Sequence, residues 1–436
     1  MTGAFRPPPP VQTHVRVRRD VPDAVAPVRA HAYAFAGVGG RSAALLLVAA
    51  TVVVAVPVDF VTIGSFWRYL GLLSLLVGSA VAVWAVHRSD TSIVQQALLF
   101  GFLVLSFNQL MNFNPVGYVT LLAPVLVGAG LAVVLRTPLT VLVVLSVVLA
   151  VTMGTEYILQ QHIFGDLFGD PHYTAFSRDT FRARGLIGQA VPAGMVAVGV
   201  GAAALMMSST AGSHRALVRW TVVVATAVSV LTSGTRSAIL CAAAIAVLVV
   251  AARTVRTRRR AVVGQQIAWV GPLLLAVVVT LVALYWTVLS SQRVFDFGSL
   301  TGSASLDNRN YAAIVFDEWS DTCSGACVVF GSGARSLLDA LGSGLGFHGF
   351  TTVDNLFLSL LWDFGIVMVF GIVVLTCIAL RALLRSESVY VRAGAVMILA
   401  IVLSGFFYDA LYIRPVLLLC GFGIGLLGLG KKEVTS

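Results

Sequence analysis

The sequence predicts an all-α polytopic membrane protein, and three observations lead to this fold class. The chain has a mean hydropathy of +0.93, only 11% of its 436 residues are charged, and long apolar stretches recur along it. Soluble domains carry about 25% charged residues. Because a helix needs about 20 apolar residues to cross the hydrocarbon core, each of these stretches predicts one membrane span.

About twelve such stretches lie between residues 41 and 430, which form one predicted transmembrane domain. The seventh and eighth are short, and a long hydrophilic loop separates the ninth from the tenth. The predicted spans are 43–62, 66–86, 93–111, 117–135, 138–158, 187–208, 218–233, 237–252, 268–290, 354–380, 390–408 and 412–430.

The distribution of basic residues predicts how these spans are oriented. If residues 1–40 lie in the cytoplasm and the spans alternate, 20 of the 29 basic residues fall inside and 9 fall outside. Cytoplasmic loops carry an excess of Lys and Arg. The sequence therefore predicts two cytoplasmic termini, and it places the two long loops, 159–186 and 291–353, on the outer face of the membrane.

The parts outside the spans limit the possible functions. Residues 1–40 are rich in Pro and Arg and predict a disordered cytoplasmic tail, and residues 431–436 predict a second tail. The net charge of +10 does not indicate nucleic acid, because the cations belong to membrane loops. The sequence has no phosphate-cradling glycine motif and no cytoplasmic domain for a nucleotide. Any reaction would therefore draw its energy from the substrate or from an ion gradient.

Two cysteines, Cys323 and Cys327, lie in the second long loop. An outer loop faces an oxidising compartment, so a disulfide between them is one interpretation. A metal site is the other interpretation, and it is disfavoured because no His or second Cys pair lies close by.

Three motifs place arginines where helices are predicted to start on the outer face. Arg182 and Arg184 precede a helix start marked by Gly and Pro, and a Ser-Gly-Thr break between two short spans leads into Arg236. Arg309 starts an amphipathic helix that runs to Trp319. Helix N-termini and guanidinium groups both favour anions, so these motifs predict an anion site. Interfacial anchoring or a solvated surface cation is the alternative.

The dipeptide Asp354-Asn355 stands at the mouth of the tenth span. Carboxylates are costly near hydrocarbon and are usually functional there. Asp354 could accept a proton and Asn355 could donate to an oxygen, although Asp354 could also be the N-cap of the helix. Asp363 lies nine residues deeper, about 13 Å along a straight helix, where it could pair with a buried arginine.

Taken in order, these motifs resemble those of the O-antigen ligase and O-antigen or exopolysaccharide polymerase superfamily of bacterial membrane glycosyltransferases. The resemblance covers roughly residues 180–375. It rests on Arg184-Gly185, the break at Arg236, Arg309 with Trp319, a Gly331-Ser332-Gly333 turn after an extended stretch, and Asp354-Asn355. In ligases a His-Asn pair is followed by nine residues and a Gly. Here nine residues separate Asn355 from Gly365, and Asp354 replaces the histidine, which favours a polymerase.

The resemblance implies a GT-C-like bundle in the plasma membrane of a bacterium that performs an inverting, metal-independent glycosyl transfer without a cofactor. The donor would be an oligosaccharide on polyprenyl pyrophosphate, anchored in the membrane lipid, and the acceptor would be a hydroxyl of another glycan. Arg236 and Arg309 would hold the leaving pyrophosphate, and Asp354 would receive or orient the acceptor proton. The remaining predicted substrate-binding residues are Arg182, Arg184, Asn355 and Asp363.

Two other functions compete with this interpretation. One is ligase-like transfer of the lipid-linked glycan to a different envelope acceptor. The other is secondary transport by a twelve-helix protein, although the cytoplasmic loop after the sixth span is shorter than transporters of the major facilitator type usually have. Metal-dependent polymerases of peptidoglycan would require paired acids in the first outer loop, which offers only Asp59.

The orientation can be tested with single-cysteine variants of the full chain in intact cells. Because the basic residues place loop 291–353 outside, a membrane-impermeant thiol reagent should label Ser320→Cys. It should label Thr257→Cys only after the membrane is permeabilised. Labelling of both positions from the same side would contradict the twelve-span arrangement.

Overall fold

The computed structural model describes residues 65–88, 115–135, 137–163, 181–260, 314–342, 355–409 and 412–429. It also describes single positions of the third predicted span. These residues are helical or lie in short turns, and none of them lies in a strand, so the all-α class is confirmed for this part of the chain. Predicted spans 43–62 and 268–290, both predicted tails, Arg309 and Asp354 lie outside the described residues.

The long described helices follow nine of the predicted spans to within five residues at each end, except that the helix Arg236–Arg260 continues eight residues past its predicted end. Their bounds are α1 Ser65–Arg88, α2 Pro115–Val134, α3 Pro138–Leu159, α4 Ala190–Met207, α5 Arg215–Thr232, α6 Arg236–Arg260, α7 Ala326–Phe330, α8 Ser336–Gly342, α9 Leu356–Arg385, α10 Val389–Gly405 and α11 Arg414–Gly428. A further helical stretch covers residues 314–322. Short 3₁₀ turns, Gly185–Ile187 and Ser208–His214, precede α4 and α5.

Four helical stretches among the described residues are long and apolar enough to cross a membrane. They are Pro138–Leu159, Ala190–Thr232, Arg236–Val255 and Leu356–Arg385. Shorter apolar helices cover Leu76–His87, Thr120–Val134, Val389–Gly405 and Arg414–Gly428. The lengths and composition of these helices indicate a membrane protein. The total of twelve spans and the side on which each loop lies stay predictions.

Glycines let α11 pack closely between α2 and α10. A Cβ added to Gly421 would overlap the backbone of Val125 in α2, and one added to Gly425 would lie 2.6 Å from the Ala132 Cβ. On the other side, Gly423 faces the backbone of Gly394 in α10. Small residues of this kind allow helix backbones to approach in membranes, where packing has to replace the hydrophobic driving force.

The helix α9 is broken at Gly365, which has φ +71° and ψ −174°. A straight helix of its 30 residues would be about 45 Å long, whereas the 17-residue α10 measures about 26 Å. The start of α9 nevertheless meets the end of α10, because the Phe357 and Phe406 rings lie 4.6 Å apart. The first half of α9, residues 356–364, therefore turns across the end of α10 instead of continuing along the axis of the second half. This corrects the expectation of one straight tenth span.

The burial of the side chains changes at the same glycine. Leu358, Leu360 and Phe364 in the first half are buried by neighbouring protein. In the second half, Phe370 is 64% exposed and Val373 is 50% exposed, as expected for residues that face lipid. A broken helix is tolerated at membrane depth where protein covers it. Residues 366–385 are thus the part of α9 suited to span the membrane.

The conformation at Gly365 predicts the effect of adding a methyl group. Residues other than Gly rarely adopt this φ and ψ, and a Cβ here would overlap the carbonyl of Val329. Gly365→Ala should therefore destabilise the protein by about 2 kcal/mol or more. The measurement is the thermal unfolding midpoint of the protein purified in detergent.

The control for this variant is Gly101→Ala. Gly101 is helical, and a Cβ added to it would meet nothing within 4 Å. Its unfolding midpoint should stay at or above that of the unmodified chain. Equal midpoints for both variants would contradict the strained break at Gly365.

Candidate functional site

The structure gathers most of the predicted site residues at one end of the bundle. We call this end, marked by Arg182, Ser233 and Asn355, the site end. The helices α4, α6, α9 and α11 all start there. Because Arg309 and Asp354 lie outside the described residues, their place at this end stays a prediction.

Residues 182–185 form a strap across the last turn of α5. The Ala183 N–H donates to the Thr232 carbonyl at 3.0 Å. The Arg182 Nε donates to the Ser233 carbonyl at 3.2 Å. The two arginine motifs that the sequence shows about fifty residues apart are therefore in direct contact and form one site.

A buried carboxylate in α3 holds the strap in place. Glu156 is fully buried, and its Oε2 accepts hydrogen bonds of 2.8 Å from the backbone N–H groups of Arg184 and Gly185. Nearby, the His162 ring stacks on Phe181 at 4.5 Å, immediately before the strap. The sequence analysis missed Glu156, although a single Glu in an apolar span is a signal that could have found it.

The Ser-Gly-Thr break between α5 and α6 is a buried polar turn. The Ser233 and Thr235 hydroxyls are buried and lie 2.6 Å apart, and Ser233 also donates to the Val230 carbonyl at 2.7 Å. Gly234 has φ +61°, which favours glycine at the turn. Gly194 of α4 makes room for the turn, since a Cβ there would lie 2.6 Å from the Thr235 hydroxyl. The turn delivers the half-buried Arg236 as the first residue of α6.

At the site end, arginines stand at helix N-termini, where acidic residues are usually found. Arg236 starts α6, Arg414 starts α11, and Arg184 is the N-cap of the Gly185–Ile187 turn. None of the helices α4, α6, α9 and α11 has an acidic residue in its first turn. Cations at a helix N-terminus are unfavourable by roughly 0.3–1 kcal/mol each, because the helix dipole is already positive there. The arginines and the helix dipoles both favour an anion at these helix starts, and the Glu156 carboxylate already lies at one of them.

Asn355, and not Asp354 as the sequence suggested, is the N-cap of α9. Its Oδ1 accepts hydrogen bonds from the Phe357 N–H at 3.0 Å and from the Leu358 N–H at 3.2 Å. This bonding fixes the start of the helix next to the position of Asp354. The amide of Asn355 can still donate to a substrate oxygen, which keeps its predicted role open.

A second carboxylate at the site end, Asp409, was not singled out from the sequence. It lies after α10, is partly exposed, and its Oδ2 accepts a 2.6 Å hydrogen bond from the Ser359 hydroxyl in the first half of α9. The preceding residue, Tyr408, donates to the Oε1 of Gln189 at the start of α4. This loop therefore links the mouth of α9 to the helix that follows the arginine strap.

Asp363 accepts hydrogen bonds that hold the start of α8 against α9. Its Oδ1 accepts from the Ser336 hydroxyl and the Leu337 N–H, both at 2.9 Å, and its Oδ2 accepts from the Arg335 N–H at 3.1 Å. The Tyr412 hydroxyl also donates to Oδ2. The carboxylate thus caps α8 from a different helix, and among the described residues its donors do not include the guanidinium expected from the sequence. Substrate binding by Asp363 stays a prediction, with both of its oxygens already engaged.

The break in α9 leaves two carbonyl groups without helical partners, and residues 332–334 satisfy them. The Ser332 N–H donates to the Trp362 carbonyl at 2.8 Å, and the Gly333 N–H donates to the Asp363 carbonyl at 3.1 Å. Gly331 permits this approach, because a Cβ there would overlap the backbone of Asp363. We call the contact between residues 329–334 and 362–365 the seam.

Asn108, from the third predicted span, completes the seam. Its amide donates to the Asp363 carbonyl at 2.6 Å and to the Phe330 carbonyl at 2.8 Å. Its Oδ1 accepts from the Ala334 N–H at 3.1 Å. A fully buried Asn that uses donors and acceptor in this way is a positioning residue that the sequence analysis did not identify.

The long loop also contains the predicted disulfide. The structure joins Cys323 to Cys327, with the two Cα atoms 5.4 Å apart. The preceding helical stretch, 314–322, is amphipathic, since Val315 and Trp319 are buried while Asp317 and Glu318 are exposed. Ile314 is exposed as well, so the apolar side of this stretch is narrower than the spacing predicted. The residues expected to be extended before the glycine turn belong instead to the short helix α7.

The chain matches no protein-family model and no curated protein.

The network around Asp363 predicts a coupled loss of stability. In Asp363→Asn one acceptor oxygen becomes a donor that faces other donors, so we expect a loss of about 2 kcal/mol. Tyr412→Phe removes two hydrogen bonds, the one that its hydroxyl donates to Asp363 and the one that it accepts from the Arg335 N–H at 2.6 Å. Because the Arg335 N–H keeps its bond to Asp363, the loss should be about 1–2 kcal/mol. Because both changes act on one network, the double variant should lose less stability than the two single variants combined.

The measurement for these variants is thermal unfolding, combined with limited proteolysis of residues 314–342. Ser320→Ala is the control, because its hydroxyl bonds only within its own helical turn on an exposed surface. Strictly additive losses would show that Asp363 and Tyr412 do not act as one unit.

Proposed function

We propose that the chain is a polymerase-type glycosyltransferase in the plasma membrane of a bacterium. It joins oligosaccharide units carried on polyprenyl pyrophosphate into an exopolysaccharide or a cell-envelope glycan. In this proposal the bundle has twelve spans, both termini are cytoplasmic, and the site end faces outward.

The observation that carries the proposal is the contact between the arginine strap and the Ser233–Arg236 turn. It brings the Arg182–Arg184 motif and the Arg236 motif together at one end of the bundle, with Arg184 and Arg236 at helix starts. A pyrophosphate at the membrane surface is the kind of anion that such a site suits. Guanidinium groups stay charged and bind phosphate oxygens in a bidentate manner, which lysine cannot reproduce.

The proposed reaction is a direct displacement at the anomeric carbon of the donor sugar. The acceptor hydroxyl oxygen forms the new bond to this carbon, and the bond from the carbon to the phosphate oxygen breaks with inversion. The electron pair leaves with the pyrophosphate, where Arg236 and Arg309 stabilise the developing charge. The acceptor proton passes to Asp354, which adjoins the Asn355 cap.

Asp409 supplies a second carboxylate near this reaction. Its hydrogen bond to Ser359 sets it one turn along α9 from Asn355. In the proposal it accepts a hydrogen bond from a sugar hydroxyl and orients the acceptor, whereas Asp354 takes the proton. Two variants distinguish these roles. Asp354→Asn removes the base, whereas Asp409→Asn keeps one oxygen that can accept the hydrogen bond from the sugar.

The proposal predicts the effect of removing each cation and the base. Arg236→Ala, Arg309→Ala and Asp354→Ala should each lower the rate of polymer formation by about a hundredfold, because each loses an interaction made in the transition state. Arg236→Lys should recover little of this rate. The measurement is the length of the polysaccharide, together with the amount of lipid-linked repeat units, which should accumulate.

The control is Arg392→Ala, at the opposite end of the bundle, where Arg392 donates to the Ser388 carbonyl within its own helix start. This variant should make polymer of normal length, and chelation of divalent metal should change nothing. Normal polymer in all three alanine variants would overturn the proposal. Transport of a lipid-linked glycan in reconstituted vesicles would then be the function to test.

A further inference from the structure

The end of the bundle opposite the site end carries a cluster of arginines on α5 and α6. Arg215 and Arg219 lie one turn apart at the start of α5, and Arg253 lies near the end of α6. Because a short turn joins α5 to α6, the start of α5 and the end of α6 bring all three arginines to the same end of the bundle. We call this cluster of Arg215, Arg219 and Arg253 the basic cluster.

Carboxylates are missing from this part of the sequence. No Asp or Glu occurs between residues 180 and 295, a stretch that includes α4, α5 and α6. Among the described turns at this end, the one carboxylate is Glu387, between α9 and α10. None of the three arginines of the basic cluster forms an ion pair within the described part of the chain. The described part of the chain therefore supplies no carboxylate to these arginines, and an anion from outside the protein would be attracted to them.

The structure fixes one of these arginines and leaves part of it available. The Arg219 Nε donates to the hydroxyl of Ser208 at 2.9 Å, and Ser208 is fully buried. The terminal nitrogens of Arg219, together with the exposed Arg215 and Arg253, remain to contact a ligand. A guanidinium fixed through Nε is already oriented, so it loses less conformational entropy when it binds phosphate oxygens.

The apolar residues next to the cluster indicate the depth at which it lies. Trp220, which directly follows Arg219, is 70% exposed, and Leu217 is 66% exposed. Exposed Trp residues are enriched where membrane helices meet the headgroups, because the ring is apolar and its N–H is polar. The basic cluster thus lies at headgroup level, with apolar side chains beside it that acyl chains can cover.

We propose that the basic cluster binds the phosphate of an anionic phospholipid headgroup in the leaflet that faces this end of the bundle. The phosphate lies between the guanidinium groups of Arg215, Arg219 and Arg253, and the acyl chains pack along Leu217 and Trp220. Clustered arginines at a helix end attract anionic lipid in this way. The site is separate from the proposed catalytic residues, since α5 and α6 run from one end of the bundle to the other.

The test uses the full chain reconstituted in phosphatidylcholine that contains spin-labelled phosphatidylglycerol. Electron paramagnetic resonance gives the fraction of the labelled lipid that is immobilised by the protein, relative to spin-labelled phosphatidylcholine. We expect a preference for phosphatidylglycerol that weakens at high salt. The triple variant Arg215→Gln, Arg219→Gln, Arg253→Gln should lose this preference, by about fivefold for each arginine.

A triple variant of equal charge is the matched control. Arg381→Gln, Arg385→Gln, Arg392→Gln changes three arginines at the same end of the bundle, near Glu387, and should keep the preference of the unmodified chain. Equal losses in both triple variants would overturn the proposal, because the lipid would then respond to overall charge. An unchanged preference in the first triple variant would overturn it as well.

Two further measurements distinguish a lipid site from other causes. Inorganic phosphate is added at an ionic strength at which sodium chloride has no effect on lipid binding. Under this condition it should not displace the labelled lipid. Displacement would show that the site binds free phosphate instead of a lipid headgroup. If the glutamine triple variant unfolds, the triple Arg→Lys variant replaces it. That variant should keep a weaker preference for phosphatidylglycerol, and complete loss in a folded lysine variant would contradict a phosphate site.

Discussion

The arrangement of the site end depends on the carbonyl groups that the break at Gly365 releases inside the protein. An unpaired carbonyl in a medium of low polarity costs several kcal/mol, so the break can persist only where other groups donate to it. Ser332, Gly333 and Asn108 supply these donors, and the carboxylate of Asp363 in turn caps α8. Residues 329–334 and the broken helix therefore form one hydrogen-bonded unit.

The seam fixes the position of the start of α9. Because the first half of α9 turns across the end of α10, Asn355 and Ser359 come next to the loop that carries Tyr408 and Asp409. Tyr408 then connects this loop to Gln189, which directly follows the arginine strap. A straight α9 would carry its start away from these residues. The geometry of the site end thus depends on backbone hydrogen bonds at the Gly365 break. Gly365 itself has no part in the proposed chemistry.

Hydropathy predicted the described helices because the signal for a span is local and each helix satisfies its own backbone. The prediction failed at Gly365, since the sequence of α9 stays apolar through the break and the partners that permit it are distant in the chain. The cap on α9 was misassigned by one residue for a related reason, because Asp and Asn are both good caps. Asn108 and Asp409 were missed because their roles depend on contacts between helices, whereas Glu156 could have been found from its place as a lone carboxylate in an apolar span.

The arginines at the two ends of α6 differ in how their charges interact with the helix dipole. Arg253 lies in the C-terminal half of α6, away from the positive end of the helix dipole, so its charge does not conflict with the helix. Arg236, at the N-terminus of the same helix, opposes the dipole and stands beside Arg182 on a turn of buried hydroxyls. A local conflict that a fold retains indicates a functional demand at that position. The start of α6 is therefore the position at the site end where the charge of the side chain most clearly departs from ordinary helix electrostatics.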